Sequence, residues 1–124
     1  MTGFRELFEA YGGDYQITLG RFMGNEKMYL KFLNMLSRDE NMQKLGDAVR
    51  RGDQTAAFEA AHTLKGVSAN LGLTPLCSAV CAMVEPLRAG EQRDDYEELY
   101  EMVLSEYRRA DELCLKLNQE AEGA

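Results

Sequence analysis

The segment from residue 53 to residue 72 constrains the fold of this chain more than any other. No Gly or Pro interrupts it between Asp53 and Lys65, which predicts a helix with Asp53 as its N-cap. At about 100° per residue, small apolar side chains gather on one side of this helix, where they can pack against a core. That side comprises Ala57, Ala60, Ala61, Leu64, Val67, Ser68 and Leu71, and the opposite side comprises Thr55, Phe58, Glu59, His62, Lys65, Gly66 and Ala69. We therefore expect an amphipathic helix that runs to Asn70 and is ended by Gly72.

The rest of the chain shows the same helical spacing, and no segment alternates in the manner of a strand. Before the motif helix, the sequence predicts a helix over residues 4–11, ended by Gly12-Gly13, a short helix capped by Asp14 and reaching residues 21–23, a helix capped by Asn25, and a helix over residues 42–51; the packed face of the helix after Asn25 comprises Met28, Tyr29, Phe32, Leu33 and Leu36. After the motif helix, Thr74-Pro75 begins a helix whose apolar stripe comprises Leu76, Cys77, Val80, Val84 and Leu87. The last helix follows Asp94-Asp95, and its apolar seam comprises Tyr96, Tyr100, Val103, Tyr107, Ala110, Cys114 and Leu117. Short connections favour antiparallel neighbours. The sequence thus predicts an all-α fold: one domain, an up-down antiparallel four-helix bundle (residues 25–120) with short additional N-terminal helices (1–24) and a frayed tail (121–124).

His62 is the only histidine of the chain, and it lies roughly opposite the centre of the apolar stripe. Lys65 follows at i+3 and Gly66 at i+4, so all three share one helical surface, and we expect Lys65 to extend into solvent. A glycine in mid-helix costs roughly 1 kcal/mol relative to Ala, so Gly66 suggests that space beside the imidazole is needed. This combination suits a histidine that carries an anion and is approached by another protein. From geometry alone, a surface histidine with chance neighbours is the alternative.

The residues 62–66 (His-Thr-Leu-Lys-Gly), followed by residues 69–72 (Ala-Asn-Leu-Gly), resemble the signature of the histidine phosphotransfer (Hpt) domain. The runs 19–26 and 29–33 are similar to the segment that this family carries before its motif helix. The resemblance covers roughly residues 13 to 90, and the last helix fits by its pattern only. It implies that His62 accepts a phosphoryl group from the aspartyl phosphate of one receiver domain and passes it to the aspartate of another.

The same resemblance implies roles for the neighbours of His62. Lys65 would stabilise charge on the transferring phosphoryl group, Gly66 would give access, and Phe58, Glu59, Ala69 and Asn70 would belong to the docking patch. The partners would be receiver domains, with a hybrid histidine kinase as a further candidate, and Mg²⁺ would be supplied by the receiver, so the chain itself needs no cofactor. Phe58 has an alternative interpretation, in which an N-terminal helix covers it.

One position departs from the family pattern. Many members hold the inner ring nitrogen with a polar side chain from the following helix, and the matching residue here is Val84, which can neither donate nor accept a hydrogen bond. Glu85 is adjacent but is expected to point elsewhere, and Cys81 lies one turn back. The sequence leaves open which group orients the imidazole.

Composition excludes several classes of function. A formal net charge of −7 argues against nucleic acid or an anionic membrane as the main partner. The sequence contains neither an 18-residue apolar run nor an N-terminal signal pattern. Three cysteines, Cys77, Cys81 and Cys114, are expected to be reduced core thiols of a cytoplasmic protein. The seven Met residues are expected to fill gaps in the core.

No metal or nucleotide site is evident in the sequence. A zinc site needs roughly four suitable ligands, and no Gly-rich phosphate cradle is present, so we expect neither metal binding nor phosphorylation from ATP. Two alternatives to the relay remain: a non-catalytic helical interaction module, and a phospho-accepting domain detached from a histidine kinase. A monomer is expected, and the sequence leaves open whether this is a free-standing protein or an excised domain.

Overall fold

The computed structural model describes residues 3–123, and within that range every regular element is an α-helix. The seven helices are α1 (Phe4–Tyr11), α2 (Tyr15–Gly20), α3 (Glu26–Leu36), α4 (Asn41–Arg51), α5 (Gln54–Asn70), α6 (Thr74–Arg88) and α7 (Tyr96–Gly123). The prediction of an all-α chain is confirmed. Helix α7 continues through residues 121–123, where a frayed tail was expected, and Ala124 lies outside the described residues.

The helix starts follow capping chemistry. The carboxylate or amide oxygens of Asp14, Asn25 and Asp53 each accept a 3.0 Å hydrogen bond from the backbone N–H three residues later. Each cap satisfies one of the backbone donors that a helix leaves free at its N-terminus. Thr74 was expected to cap α6, but it is the first helical residue and Leu73 precedes it without a side-chain cap. Helix α2 ends at Gly20, slightly before the expected range, and a turn follows.

Helix α5 packs against α4 and α6, while α7 packs against α1, α3, α4 and α6. The buried residues of α5 are mostly small, namely Ala57, Ala60, Ala61, Leu64 and Ser68. Small side chains let neighbouring helices approach closely on both sides. Helix α5 is therefore held by two neighbours and keeps one face free for solvent.

Two residues placed on packed faces by the sequence lie elsewhere. Phe32 is 43% exposed and Cys77 is only half-buried, whereas Leu30 and Met83 are buried in the core. Phe32 and Cys77 stand at the edges of broad apolar stripes. The rotation of each helix about its axis, set by contacts with its neighbours, decides which edge is covered.

Residues from the turn after α2 and from α3 contact the C-terminal end of α5. Arg21 donates from Nη1 to the carbonyl oxygens of Ala69 (2.9 Å) and Asn70 (3.2 Å), and the Tyr29 hydroxyl donates to the Leu71 carbonyl oxygen at 2.6 Å. These bonds satisfy carbonyls that the helix end leaves unpaired. The helix that carries His62 is thus anchored at both ends.

Candidate functional site

His62 lies on the exposed face of α5, and its imidazole stacks on the ring of Phe58 one turn earlier. The two ring centroids are 5.5 Å apart and the ring planes differ by 19°. Val84, the position at which the family pattern places a polar partner, is fully buried among apolar side chains. The ring of Phe58 is thus a neighbour of the imidazole that the sequence did not predict, and Val84 does not contribute a polar contact to it.

Phe58 is half-buried against the core, and a cation from α6 lies over it. The Cζ atom of Arg88 is 5.6 Å from the centroid of the Phe58 ring, within the range of a cation–π contact. Phe58 is therefore neither a freely exposed aromatic nor a ring covered by an N-terminal helix. The Phe58 ring contacts the imidazole of His62 on the same helix and the guanidinium group of Arg88 on α6.

Lys65 and Arg88 share one carboxylate. Glu85 lies with Oε1 3.8 Å from Lys65 Nζ and with Oε2 3.9 Å from Arg88 Nε. Glu85 is exposed while Val84 is buried, so Glu85 points in a different direction from Val84, as expected, and its carboxylate lies near Lys65. The Lys65 side chain is 35% exposed, so it lies along the seam between the two helices and does not extend freely into solvent.

Gly66 is exposed, and a Cβ atom built on it would meet nothing within 4 Å. No packing contact therefore requires a glycine at this position. Any side chain here would stand on the surface beside His62, since residues four apart are neighbours on a helix. The observation agrees with a role for Gly66 in keeping that surface open.

Charges of both signs lie around His62. Lys65 and Arg88 are cations, while Glu85 and the exposed Glu59, three residues before His62, are carboxylates. The ion pairs of Glu85 with Lys65 and Arg88 are long and partly exposed, and such pairs contribute about 1 kcal/mol or less. Neither cation is therefore held strongly by Glu85.

The family model described as the Hpt domain matches residues 30–121, about three quarters of the chain. The chain belongs to the Hpt family. The match includes α7, which the sequence motif alone related only by its pattern, and it begins after most of the similar upstream run. No curated protein and no solved structure matches the chain. At the level of the family, an Hpt domain serves histidine phosphotransfer in phosphorelays and interacts with receiver domains.

The structure of this Hpt domain brings three of the four expected docking residues to the surface. Glu59, Ala69 and Asn70 are exposed on the same helix as His62, and Phe58 is half-buried. Arg21 reaches the carbonyl groups of the last two. The outer part of the docking patch is therefore polar and small, and it is held in place from the turn after α2.

An exposed apolar surface next to this patch was not foreseen. Met23 is 83% exposed and Met35 is 56% exposed, and both were expected to fill gaps, as Met42 and Met83 do. Met35, unlike Met23, lines a groove of about 500 Å³, whose other lining residues are Phe32, Leu36, Arg38, Asp39, Val67, Asn70 and Leu71. Helical periodicity offers no signal for this surface, because it forms where α3 meets the end of α5.

Sequence reasoning also missed Arg88, although it lies one helical turn beyond Val84. Counting one turn further along α6 would have found a cation on the side that faces α5. Its contact with Phe58 depends on how the two helices are rotated relative to each other, which no local pattern specifies.

The three thiols are free, as expected, but only Cys114 is buried. Cys77 and Cys81 are half-buried near the seam between α5 and α6, because they stand at the edge of the α6 stripe.

Among residues 3–123, no group of three or more His, Cys, Asp and Glu side chains is arranged to hold a metal ion. None of the helices in that range is long and apolar enough to cross a membrane.

Proposed function

We propose that this chain relays a phosphoryl group between receiver-domain aspartates through His62. The observation that carries the proposal is that the only histidine stands exposed on the central helix of an Hpt domain, supported by one aromatic ring and flanked by cations. Phe58 stacks on the imidazole, Lys65 is one turn away, and Gly66 leaves the approach open. Each of these features serves attack by a ring nitrogen on a partner's phosphoryl group.

The proposed transfer needs little chemistry from the helices. The lone pair of the outer ring nitrogen of neutral His62 forms a bond to phosphorus, while the bond between phosphorus and the aspartyl oxygen breaks and the carboxylate leaves. The second transfer runs in reverse, with an acceptor carboxylate attacking and the imidazole leaving. Imidazole is suited to both directions because its ring nitrogen is nucleophilic and because it leaves as a neutral molecule.

Lys65 acts on the moving phosphoryl group. Its ammonium rests against Glu85 in the free protein, and the phosphoryl oxygens carry more charge and offer shorter contacts than this distant carboxylate. We expect Lys65 to turn from Glu85 to the phosphoryl group when a receiver docks. Positive charge placed in advance beside developing negative charge lowers the barrier to transfer.

The receiver would dock over His62, Glu59, Ala69 and Asn70, with Gly66 at the closest approach. The exposed side chains of Phe32 and Met35, which line a groove with Asn70, extend this patch toward α3. The receiver supplies Mg²⁺ and the aspartates, and the Hpt chain supplies no cofactor. A hybrid histidine kinase is a candidate donor, because such kinases carry receiver domains.

The remaining details belong to the same proposal. The chain acts as a monomer in the cytoplasm and forms one domain, with residues 25–120 as an up-down antiparallel four-helix bundle. Residues 1–24 add the short helices that hold the end of α5. Solution scattering gives a monomer-sized particle if this is right.

A reconstituted relay tests the proposal. A donor receiver phosphorylated on aspartate is mixed with this chain and with an unphosphorylated acceptor receiver, and label is followed on all three. We expect label to reach the acceptor only when the chain is present, and His62→Gln to stop it. Binding of receivers without any labelling of the chain would favour a non-catalytic interaction module. Labelling from ATP alone would contradict the absence of kinase activity.

A further inference from the structure

Two thiols on α6 form a pair at the edge of the relay site. Cys77 and Cys81 are one helical turn apart, and both are half-buried. They line a shallow groove of about 450 Å³, together with Ser68, Ala69, Gly72, Thr74 and Ser78. A reagent from solvent can therefore reach both sulfur atoms at once.

The helix prevents this pair from closing as a disulfide. Residues four apart on a helix hold their Cβ atoms about 5–6 Å apart, whereas a disulfide needs a Cβ separation of roughly 3.5–4.5 Å. Direct bonding of the two sulfur atoms would therefore require α6 to distort in its middle. A single atom placed between the sulfurs spans the longer separation, because it contributes two bonds to the bridge.

The environment of the Cys81 thiol points the same way. Burial, followed by the neighbouring Cys77, raises the pKa of the Cys81 thiol above its ordinary value. Reaction with a peroxide depends on the thiolate, which this environment disfavours. Condensation with a thiophilic oxide consumes two protonated thiols and involves no change of oxidation state.

We propose that Cys77 and Cys81 form a dithiol site that captures a single soft, thiophilic centre, trivalent arsenic being the chemical class. With phenylarsine oxide, both sulfur atoms form bonds to arsenic, and the oxygen leaves with the two thiol protons as one molecule of water. The adduct ties consecutive turns of α6 together. Cys114 takes no part, because it is buried and its Sγ donates to Asn34 Oδ1 at 3.1 Å.

An adduct on Cys77 and Cys81 should also affect phosphotransfer, a consequence that rests on the proposed function. Cys77 Sγ lies 4.0 Å from the carbonyl oxygen of Lys65, and the charges of Lys65 and Glu85 both act on Cys81. An adduct in this groove stands beside the Lys65–Glu85 pair. We expect it to restrict the movement of Lys65 toward a phosphoryl group and so to slow phosphotransfer.

Binding is tested with phenylarsine oxide on the full, reduced chain, followed by intact-mass measurement at neutral pH. The wild type and Cys114→Ser should each take up one phenylarsenic group. Cys77→Ser and Cys81→Ser should bind at least about a hundredfold more weakly, since the second sulfur binds intramolecularly. The adduct should keep the helical circular dichroism signal and raise the Tm of the wild type. Equal uptake by the single serine variants would overturn the site, and so would a Cys77–Cys81 disulfide that forms in diamide with helicity unchanged.

The effect on transfer is measured separately, on protein loaded with the arsenical and freed of excess reagent. Loaded wild type should transfer more slowly than unloaded wild type, while Cys77→Ser/Cys81→Ser treated in the same way should be unaffected. Stoichiometric binding with an unchanged rate would overturn the coupling to Lys65. An unloaded wild type that transfers nothing would instead refute the proposed function, and the mass measurement would still decide the dithiol site.

Discussion

At the scale of single residues, the site is assembled from two helices. His62 and Lys65 belong to α5, but Glu85 and Arg88, which hold Lys65 and Phe58, belong to α6. An aromatic ring one turn earlier on α5, that of Phe58, stacks on the imidazole. The surroundings of His62 thus combine a ring stack on α5 with ion pairs that involve α6.

Lys65→Ala should slow transfer and leave the fold almost unchanged. Loss of a partly exposed ion pair should change the free energy of unfolding by about 1 kcal/mol or less. The rate of transfer from a phosphorylated receiver should fall, because a cation beside the moving phosphoryl group is gone. Lys44→Ala is the control, since Lys44 also pairs with a glutamate, Glu40, but is exposed on α4 away from the site. Equal rates for the two variants would reduce Lys65 to an ordinary surface lysine.

Gly66→Gln should fold and fail to transfer. The space around Gly66 is open, so the longer side chain meets no protein atom near the backbone, yet it stands beside His62 at the expected point of closest approach. Circular dichroism should show an intact helical protein, and label transfer should be slow or absent. Ser105→Gln adds the same side chain to an exposed position of α7 and should transfer normally. A wild-type rate for Gly66→Gln would refute the access role.

At the scale of the helix, the two motif glycines do different work. Gly66 lies in open space, but Gly72 has φ of +67°, and a Cβ atom on it would collide with the Thr18 side chain. Gly66 leaves the surface beside His62 open, and Gly72 lets α2 approach the end of α5. A shared sequence motif thus combines one residue for access with one for packing.

Alanine at these two positions should have opposite effects on stability. Gly66→Ala should stabilise the protein by up to about 1 kcal/mol, through helix propensity. Gly72→Ala should destabilise it by about 1–3 kcal/mol or more, because a left-handed backbone and a steric clash add together. Urea denaturation of both variants measures the difference. Equal changes of the same sign would show that the packing of α2 on α5 is misjudged.

The helices could be predicted from the sequence because they depend on local chemistry. The residues at the edges of the apolar stripes could not be placed, because their exposure depends on contacts between helices. The caps Asp14, Asn25 and Asp53 and the exposed position of His62 follow from the sequence, because each depends on residues within one or two turns. The exposure of Phe32 and the approach of Glu85 to Lys65 depend on how α3 and α6 are rotated against their neighbours. Periodicity gives the centre of an apolar stripe but not which of its edges is covered.

At the scale of the whole molecule, buried tyrosine hydroxyl groups lower the stability of the fold at high pH. Burial raises the pKa of Tyr11 to about 12 and also raises the pKa of Tyr29. The Tyr11 hydroxyl has no hydrogen-bond partner within residues 3–123, while that of Tyr29 donates to the Leu71 carbonyl group at the end of α5. Ionisation of either ring in the folded state is therefore costly.

Stability should fall as the pH rises from about 10 to about 12. In that window an unfolded tyrosine releases its proton while folded Tyr11 keeps it, so the folded state binds more protons and loses stability with rising pH. Tyr11→Phe should remove about 2–3 kcal/mol of that loss and should also remove an unpaired hydroxyl. Denaturation curves at a series of pH values measure both effects. Identical pH dependence in the two proteins would contradict the burial of Tyr11.

The central claim is that His62 carries the phosphoryl group, and mapping the group on the labelled chain tests it most directly. The chain is phosphorylated by a receiver, digested at neutral to alkaline pH, which preserves a phosphorus–nitrogen bond, and sequenced by mass spectrometry. The phosphoryl group should lie on His62, should be lost in acid and should be absent from His62→Gln. A phosphoryl group on another residue, or undiminished labelling of His62→Gln, would contradict the account.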